Sequence, residues 1–494
     1  MTSATVRSHG LSKSRITAFE QCPKRLWLGV HRPEVAEYDD GAKARFDAGH
    51  FVGEVACSLH PDGVMIEAEP DLSAALAETA RLIGEGHPGP LFEATFQHGG
   101  VLIRADILER TAEGCGWTLA EVKSSARAKD YHLGDVATQL WVMEGAGLRI
   151  DGAAVRHIDT GFVLEREGDY AGLFADDELL GPARKIAAAR PALAAQARAV
   201  LAGEEPAREP GPHCADPFAC EFTAYCTRGL PQGPEWPVTV LPNGAWKKWA
   251  RQGVTDLLDL DETAMTKPRE AMIVAATRTG IPFHDGDGAR AAMAEWSYPR
   301  AWLDFETISA AVPRWLGVRP YQQIPFQFSL HLEQSDGTIT HHEFLQCDGS
   351  DPRGPCAQAL VQAIPAGATV IAYNAGFERG VLRALAGQAP VHGAELLAMA
   401  ERTVDLLPVA RKHWYHRDQR GSWSIKALLP TIADLDYASL EVKDGGMAQD
   451  SFLEAIDPAT TPERRWALEE ALKAYCMRDT WAMVLVARRL AAAE

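Results

Sequence analysis

The 494-residue sequence has no apolar run near the roughly 20 residues needed to cross a bilayer. Its opening stretch, MTSATVRSHGLSKSR, lacks the apolar core of a secretory signal. Both absences predict a cytoplasmic chain with no membrane partner. Positive charge is also scarce: 49 Lys and Arg against 67 Asp and Glu give a net charge of −18. That balance excludes a protein that coats nucleic acid along its length, because phosphates are neutralised by basic side chains. Local basic patches remain, at Lys13, Arg15, Lys24, Arg25 and Arg32, then at Arg402, Arg411, Lys412, Arg417, Arg420 and Lys426. Solvated surface is the competing reading of both. Repeats are absent, and so are low-complexity tracts beyond one alanine-rich stretch. Nine cysteines in this length make no disulfide scaffold. Cys57, Cys115, Cys347, Cys356 and Cys476 are scattered, as small buried hydrophobes would be.

Hydrophobic residues at 46% suffice for two or three α/β cores. Residues 1–230 predict helices around Ile16–Val30, Gly41–Leu59, Gly134–Glu144 and Leu179–Ala202. Between them lie the strands LFEATF, GGVLIRADILER and WTLAEVKSS, the last two joined by a turn at TAEGCG. Residues 231–296 open with PQGPEWPVTVLPNG, read as a linker, and continue as a small helical insert. From residue 297 to 494 a second α/β pattern begins with the strand RAWLDFETI. A hairpin (FQFSLHLEQ, TITHHEFLQ) and the strand ATVIAYNA follow, with helices at Phe377–Leu385, Leu407–Tyr415 and Thr461–Ala493.

The chemistry concentrates in three places. In RADIL and AEVKSS, Glu121 and Lys123 share one face of a strand, and pairing brings Asp106 beside them. Two carboxylates and a lysine are the set for metal-assisted phosphodiester hydrolysis: the acids hold Mg²⁺ or Mn²⁺, and the lysine orients water or offsets charge. A surface ion pair is the alternative for an isolated E-x-K. The stretch resembles the RecB-like branch of the PD-(D/E)XK (restriction-endonuclease-like) nucleases. The resemblance implies His50, in RFDAGHFVGE, as a further metal ligand, and Gln139, in GDVATQLW, as a residue positioning Lys123 or the DNA. Met143 stands where that family often has Tyr.

Cys214, Cys220 and Cys226 form C-x5-C-x5-C, and Cys22 stands alone nearly two hundred residues earlier. Thiolates in this number suit zinc or an iron–sulfur cluster. One cysteine before the core and three after it is similar to the pattern of iron–sulfur RecB-like nucleases. That resemblance implies a [4Fe–4S] cluster stapling the ends of the domain, with zinc as the alternative. The spacing here is wider than the common C-x2-C-x5-C.

In DFET, Asp304 and Glu306 share a strand face while Phe305 points away. Such a pair carries repulsion and desolvation that a bound cation relieves. VIAYNAGFERGVL supplies Asn374 and Glu378 at a strand-to-helix junction, and AYCMRDTWAM places Tyr475 and Asp479 on one helix face. This order resembles the DEDDy-type DnaQ-like exonucleases of ribonuclease H-like fold. It implies Asp304, Glu306, Glu378 and Asp479 as ligands of two metals and Tyr475 as the residue that positions water. Asp405 and SWSIKALLP fit helical elements of that fold; Glu378 departs from the family's Asp. The whole chain resembles a bacterial group joining an iron–sulfur RecB-like nuclease to such a domain. The expected function is a nuclease on DNA strands or ends, in repair, recombination or defence. RNA as substrate, or a catalytically impaired binding or assembly factor, are the alternatives.

Overall fold

The computed structural model describes residues 10–38, 41–68, 71–111, 116–261, 263 and 265–493, with backbone only at 42–45. Most of the turn expected at TAEGCG, including Cys115, lies outside the described residues. Among those described, no helix is long and apolar enough to cross a membrane. The chain is a mixed α/β protein that divides into two compact units, residues 1–230 with 310–322, and residues 231–309 with 323–494.

The first unit is built on a seven-stranded sheet. Its strands are Leu11–Ser12 (β1), Val64–Met65 (β2), Leu91–His98 (β3), Val101–Arg110 (β4), Trp117–Lys123 (β5), Ile150–Ile158 (β6) and Phe174–Glu178 (β7). The order is β2-β3-β4-β5-β6-β7, and β1 runs parallel to the start of β4. β3 and β4 form a hairpin across Gly99 and Gly100, whose φ values of 55° and 74° are those a two-residue primed turn demands. Gly99 is doubly constrained, since a Cβ there would meet the Trp141 ring at 2.7 Å. β5 and β6 run parallel, linked by the Asp130–Gly145 helix. That helix buries Val136, Ala137, Leu140 and Met143 in the main core of the unit. Met143 is thus a core residue.

Two features of this unit differ from the sequence reading. The single helix expected over Ile16–Val30 is two, Lys13–Gln21 and Pro23–His31, broken where Cys22 adopts an extended backbone (φ −160°, ψ 119°) and Pro23 starts the next helix. The helix expected over Leu179–Ala202 divides likewise into Leu180–Ala187 and Arg190–Ala202, the second beginning at Arg190–Pro191. Segment 310–322 packs inside this unit as well. Val312 joins Val52, Val55, Ile158 and Leu173, and the Tyr321 hydroxyl donates to the Ser124 carbonyl at 2.7 Å.

The second unit holds a five-stranded sheet of Arg300–Ile308 (β9), Ile324–Glu333 (β10), Ile339–Leu345 (β11), Thr369–Ala372 (β12) and Thr403–Asp405 (β13), in the order β11-β10-β9-β12-β13. A small ribbon pairs Phe283–His284 (β8) with Trp414–Tyr415 (β14). β10 is antiparallel to both neighbours, whereas β9, β12 and β13 run parallel. All ten residues of β10 are buried, as expected of a strand covered on both faces. On one face Leu303, Phe305 and Leu330 pack with the helices Arg353–Ala363, Gly376–Gln388 and Gly393–Arg402. On the other, Trp302 packs with Met483 and Val484 of the 30-residue helix Pro462–Ala491. Residues 231–296 belong to this unit. Trp236, Val238, Leu257, Ile273 and Met293 share that second core.

Candidate functional site

Alternation along β9 turns Asp304 and Glu306 to the face of Trp302, toward the helix Pro462–Ala491, and Phe305 to the opposite core. On that helix Cys476 lies against Asp304, its sulfur 3.8 Å from Oδ2. Asp304, Glu306 and Cys476 are the one set of three or more metal-ligating side chains, among the described residues, whose donor atoms fall within 4.8 Å of one another. Asp479, one helical turn after Tyr475, lies outside that set but near enough for its charge to raise Asp304 and Glu306, and the Tyr437 hydroxyl donates to Asp479 Oδ1 at 2.5 Å. Glu378 enters from the first turn of the Gly376–Gln388 helix, beyond the end of β12. Its Oε2 is buried without a hydrogen-bond partner. None of the four carboxylates forms an ion pair among the described residues. Lys426, whose charge is felt by Glu306 and Asp479, donates instead to the Tyr475 hydroxyl at 3.0 Å and the Lys443 carbonyl at 2.7 Å.

The electrostatics follow from this crowding. Burial, then the charges of Asp479, Glu306 and Glu378, raise the Asp304 carboxyl well above its usual range. Burial and Asp479 push Glu306 up to about 8, and burial with Asp405 pushes Glu378 up to about 8. Burial also raises Asp479, against the opposing pull of Tyr437 and Lys426. The set cannot be fully ionised at neutral pH without added positive charge. A divalent cation could supply that charge, and the Glu378 Oε2, buried without a partner, is an atom one would satisfy. The sequence reading missed Cys476, Tyr437 and Lys426. The first passed for packing, the second stood in no motif, and the third was placed in a basic patch.

In the first unit, Asp106, Glu121, Lys123 and Gln139 come together. Asp106 Oδ2 accepts the Val122 backbone N–H at 2.8 Å, which locks it beside Glu121 across β4 and β5. Glu121, fully buried, receives Lys123 on Oε1 at 2.6 Å and Gln139 on Oε2 at 2.6 Å. A further cation arrives from outside the motif. The parallel pairing of β1 with β4 delivers Lys13 at the start of its helix, and its Nζ reaches Glu121 Oε1 at 2.5 Å. Burial disfavours charge on Glu121, yet Lys13 and Lys123 hold it well below the usual carboxylate range. Asp106 behaves oppositely: burial and the Glu121 charge push it up to about 7. His50 is exposed on the Ala42–Ser58 helix and does not join Asp106 and Glu121 within the 4.8 Å that defines a ligand group. Lys13 was legible only as a member of a basic patch.

Cys22, Cys214, Cys220 and Cys226 are unbonded and line one cavity with Leu28, Phe222 and His213. The Cys22 corner sits there because Gln21 donates to the His213 and Phe218 carbonyls at 2.8 and 2.7 Å, while Arg25 pairs with Glu221 at 2.8 Å. No three of the four sulfurs lie within 4.8 Å of one another. Cys347, Cys356 and Cys476 are buried, and Cys57 is partly so.

A stability measurement checks the crowding in the second unit. Glu306 binds a proton more tightly when folded (about 8, against 4.5 when unfolded), so its contribution is present below the lower value and lost as pH rises through the upper one. The metal-free Tm should therefore fall between about pH 5 and about pH 8.5. Glu306→Gln should flatten that fall, and Mn²⁺ should raise Tm more at the alkaline end. An equal slope in wild type and variant would contradict it.

Residues 301–424 match a family described as "Domain of unknown function (DUF2779)". The matched stretch carries Asp304, Glu306 and Glu378 and ends before Tyr475 and Asp479. The chain is also 28% identical over 215 residues to "Uncharacterized protein MG366 homolog" of Mycoplasma pneumoniae, a similarity covering 38% of this chain and 31% of that protein's length.

Proposed function

We propose that this chain is a metal-dependent nuclease with a carboxylate centre in each unit, acting on single strands or ends of nucleic acid, DNA foremost and RNA as the alternative. The observation that carries the reading is the second centre: three buried carboxylates and the half-buried Asp304, from three elements, unpaired by any basic side chain among the described residues. Asp304, Glu306, Glu378 and Asp479 would hold Mg²⁺ or Mn²⁺, which when bound lowers the pKa of water and offsets charge on the transferring phosphoryl group. The chain's own part is to fix that geometry. Tyr437 orients Asp479, and Lys426 fixes the Tyr475 hydroxyl at the edge of the acids. The strand order β11-β10-β9-β12-β13, with only β10 reversed against β9 and β11, supports the ribonuclease H-like, DEDDy-type resemblance. Glu378, a methylene longer than the family's Asp, lies outside the closest ligand set but adds its charge to Asp304 and Glu306.

For the first centre, the gathering of Asp106, Glu121, Lys123 and Gln139 supports the PD-(D/E)XK resemblance. A second reading is favoured there by Lys13, which shares Glu121 Oε1 with Lys123, and by the exposure of His50. On that reading the first unit grips nucleic acid and the second cuts it. Cleavage of end-labelled single- and double-stranded DNA and RNA with Mg²⁺ or Mn²⁺ separates the possibilities. Asp304→Ala should lower second-centre cleavage by on the order of 10²-fold or more. Asp106→Ala and Lys123→Ala should remove a separate activity; unchanged cutting in both leaves the first unit as a holding module. Wild type that cuts no substrate refutes the nuclease reading.

The cysteine cavity would hold a [4Fe–4S] cluster, with zinc as the alternative: no three of its four sulfurs lie within 4.8 Å of one another, wider than the roughly 3.8 Å between sulfurs around a tetrahedral zinc with Zn–S bonds of about 2.3 Å. Its role would be to hold the start and end of the unit together, adding folding energy. Protein prepared without oxygen should be brown and carry about four irons per chain, and Cys220→Ser should lose both colour and stability. One zinc per chain and no colour would assign the site to zinc.

A further inference from the structure

The second unit contains an open pocket of about 650 Å³, within the roughly 300–1,000 Å³ range of ligand sites. Its wall includes Arg269, Arg411, Trp423, Ser422, Asn243 and Asn374. Asn243 and Arg269 come from the stretch 231–296, to which the sequence assigned no chemistry. In a chain of net charge −18, both arginines are exposed, and among the described residues neither has a carboxylate partner. Arg269 is held instead over the indole of Trp423, its guanidinium carbon 5.6 Å from the ring centroid. A cation–π contact steadies a guanidinium without neutralising it or using its N–H donors. The indole is itself rigid: Nε1 donates to the Trp414 carbonyl at 3.0 Å, and the Trp423 carbonyl accepts the Tyr373 hydroxyl at 2.6 Å. Two positive forks with free donors, beside asparagines and serines on a fixed wall, suit a phosphodiester with its sugar hydroxyls and base edges.

None of the four carboxylates lines the pocket, but two stretches of its wall continue along the chain into the residues of that centre. Tyr373 and Asn374 line it just before the helix that carries Glu378, and Asp405, which accepts the Asn374 N–H at 3.0 Å, adds to the charge felt by Glu378. Ser424 and Ile425 line it immediately before Lys426, whose ammonium holds Tyr475. We propose that this pocket is the strand-binding subsite of the second centre, with Arg269 and Arg411 taking phosphates of a single-stranded nucleic acid adjoining the bond that the carboxylates address. The inference rests on the nuclease reading and assigns the substrate path to residues that the carboxylate motifs do not include.

The test is fluorescence anisotropy of labelled oligothymidylate and oligouridylate with the full chain, in EDTA so that neither strand is cut, at several salt concentrations. Arg269→Ala/Arg411→Ala should weaken binding about tenfold or more. It should also lower the slope of log K against log salt by about 1.4, the expectation for two lost single-strand phosphate contacts. The arm in which this happens, deoxyribose or ribose, names the strand. Arg269→Gln and Arg411→Gln singly should each lower the slope by about 0.7, which keeps the test open should the double variant misfold. Arg269→Lys/Arg411→Lys should keep most of the slope. Unchanged affinity and slope in the glutamine variants, with wild type still binding and cutting, overturn the subsite and leave the nuclease reading intact. Wild type that neither binds nor, with Mn²⁺ restored, cuts either strand removes both.

Discussion

Repulsion among Asp304, Glu306, Glu378 and Asp479 is the constraint around which the second unit is arranged. Like charges brought out of water raise one another's proton affinity, and a fold tolerates this only when something else holds the elements in place. Here the restraint is apolar. Phe305, Leu303 and Leu330 anchor the sheet to helices on one face, and Trp302 with Met483 and Val484 anchors the long helix on the other. The acids are carried between two well-packed layers and cannot relax apart. Tyr437 and Lys426 reduce the tension without relieving it, because one is neutral and the other is spent on Tyr475 and a backbone carbonyl.

The first unit solves a similar problem by the opposite means. Glu121 is compensated on both oxygens by Lys13, Lys123 and Gln139, and Asp106 is left to carry a proton near neutrality. The two centres therefore differ in what they ask of a cation. One is short of positive charge; the other already holds two ammonium groups that an incoming ion would have to displace or share.

Much of this was legible in the sequence because it depends on strand alternation and helical repeat. D-x-E and E-x-K put their side chains on one face by the period of a strand, and Tyr475 and Asp479 align by the period of a helix. The hairpin at β10 and β11 and the final long helix are visible for the same reason. What the sequence hid depends on tertiary pairing. Lys13 reaches Glu121 only because two residues of β1 pair with β4, a register no local pattern announces. Cys476 and Tyr437 join the acids through packing between elements far apart in the chain. The break at Cys22 was readable from Pro23 but was overridden by apolar periodicity. The merging of 231–296 into the second core needed Trp236 and Ile273 to find partners beyond residue 400.

The excursion at 310–322 bears on how the molecule can be divided. A fragment ending near residue 230 would forfeit Val312 from beneath Val52 and Leu173, together with the Tyr321 clasp on the Ser124 carbonyl. A fragment beginning near residue 231 would carry thirteen residues whose native partners had been cut away. Neither half is a clean modular piece, although each has its own sheet. Genetic dissection, limited proteolysis and any evolutionary shuffling of the two sheets all meet this crossing of the chain first.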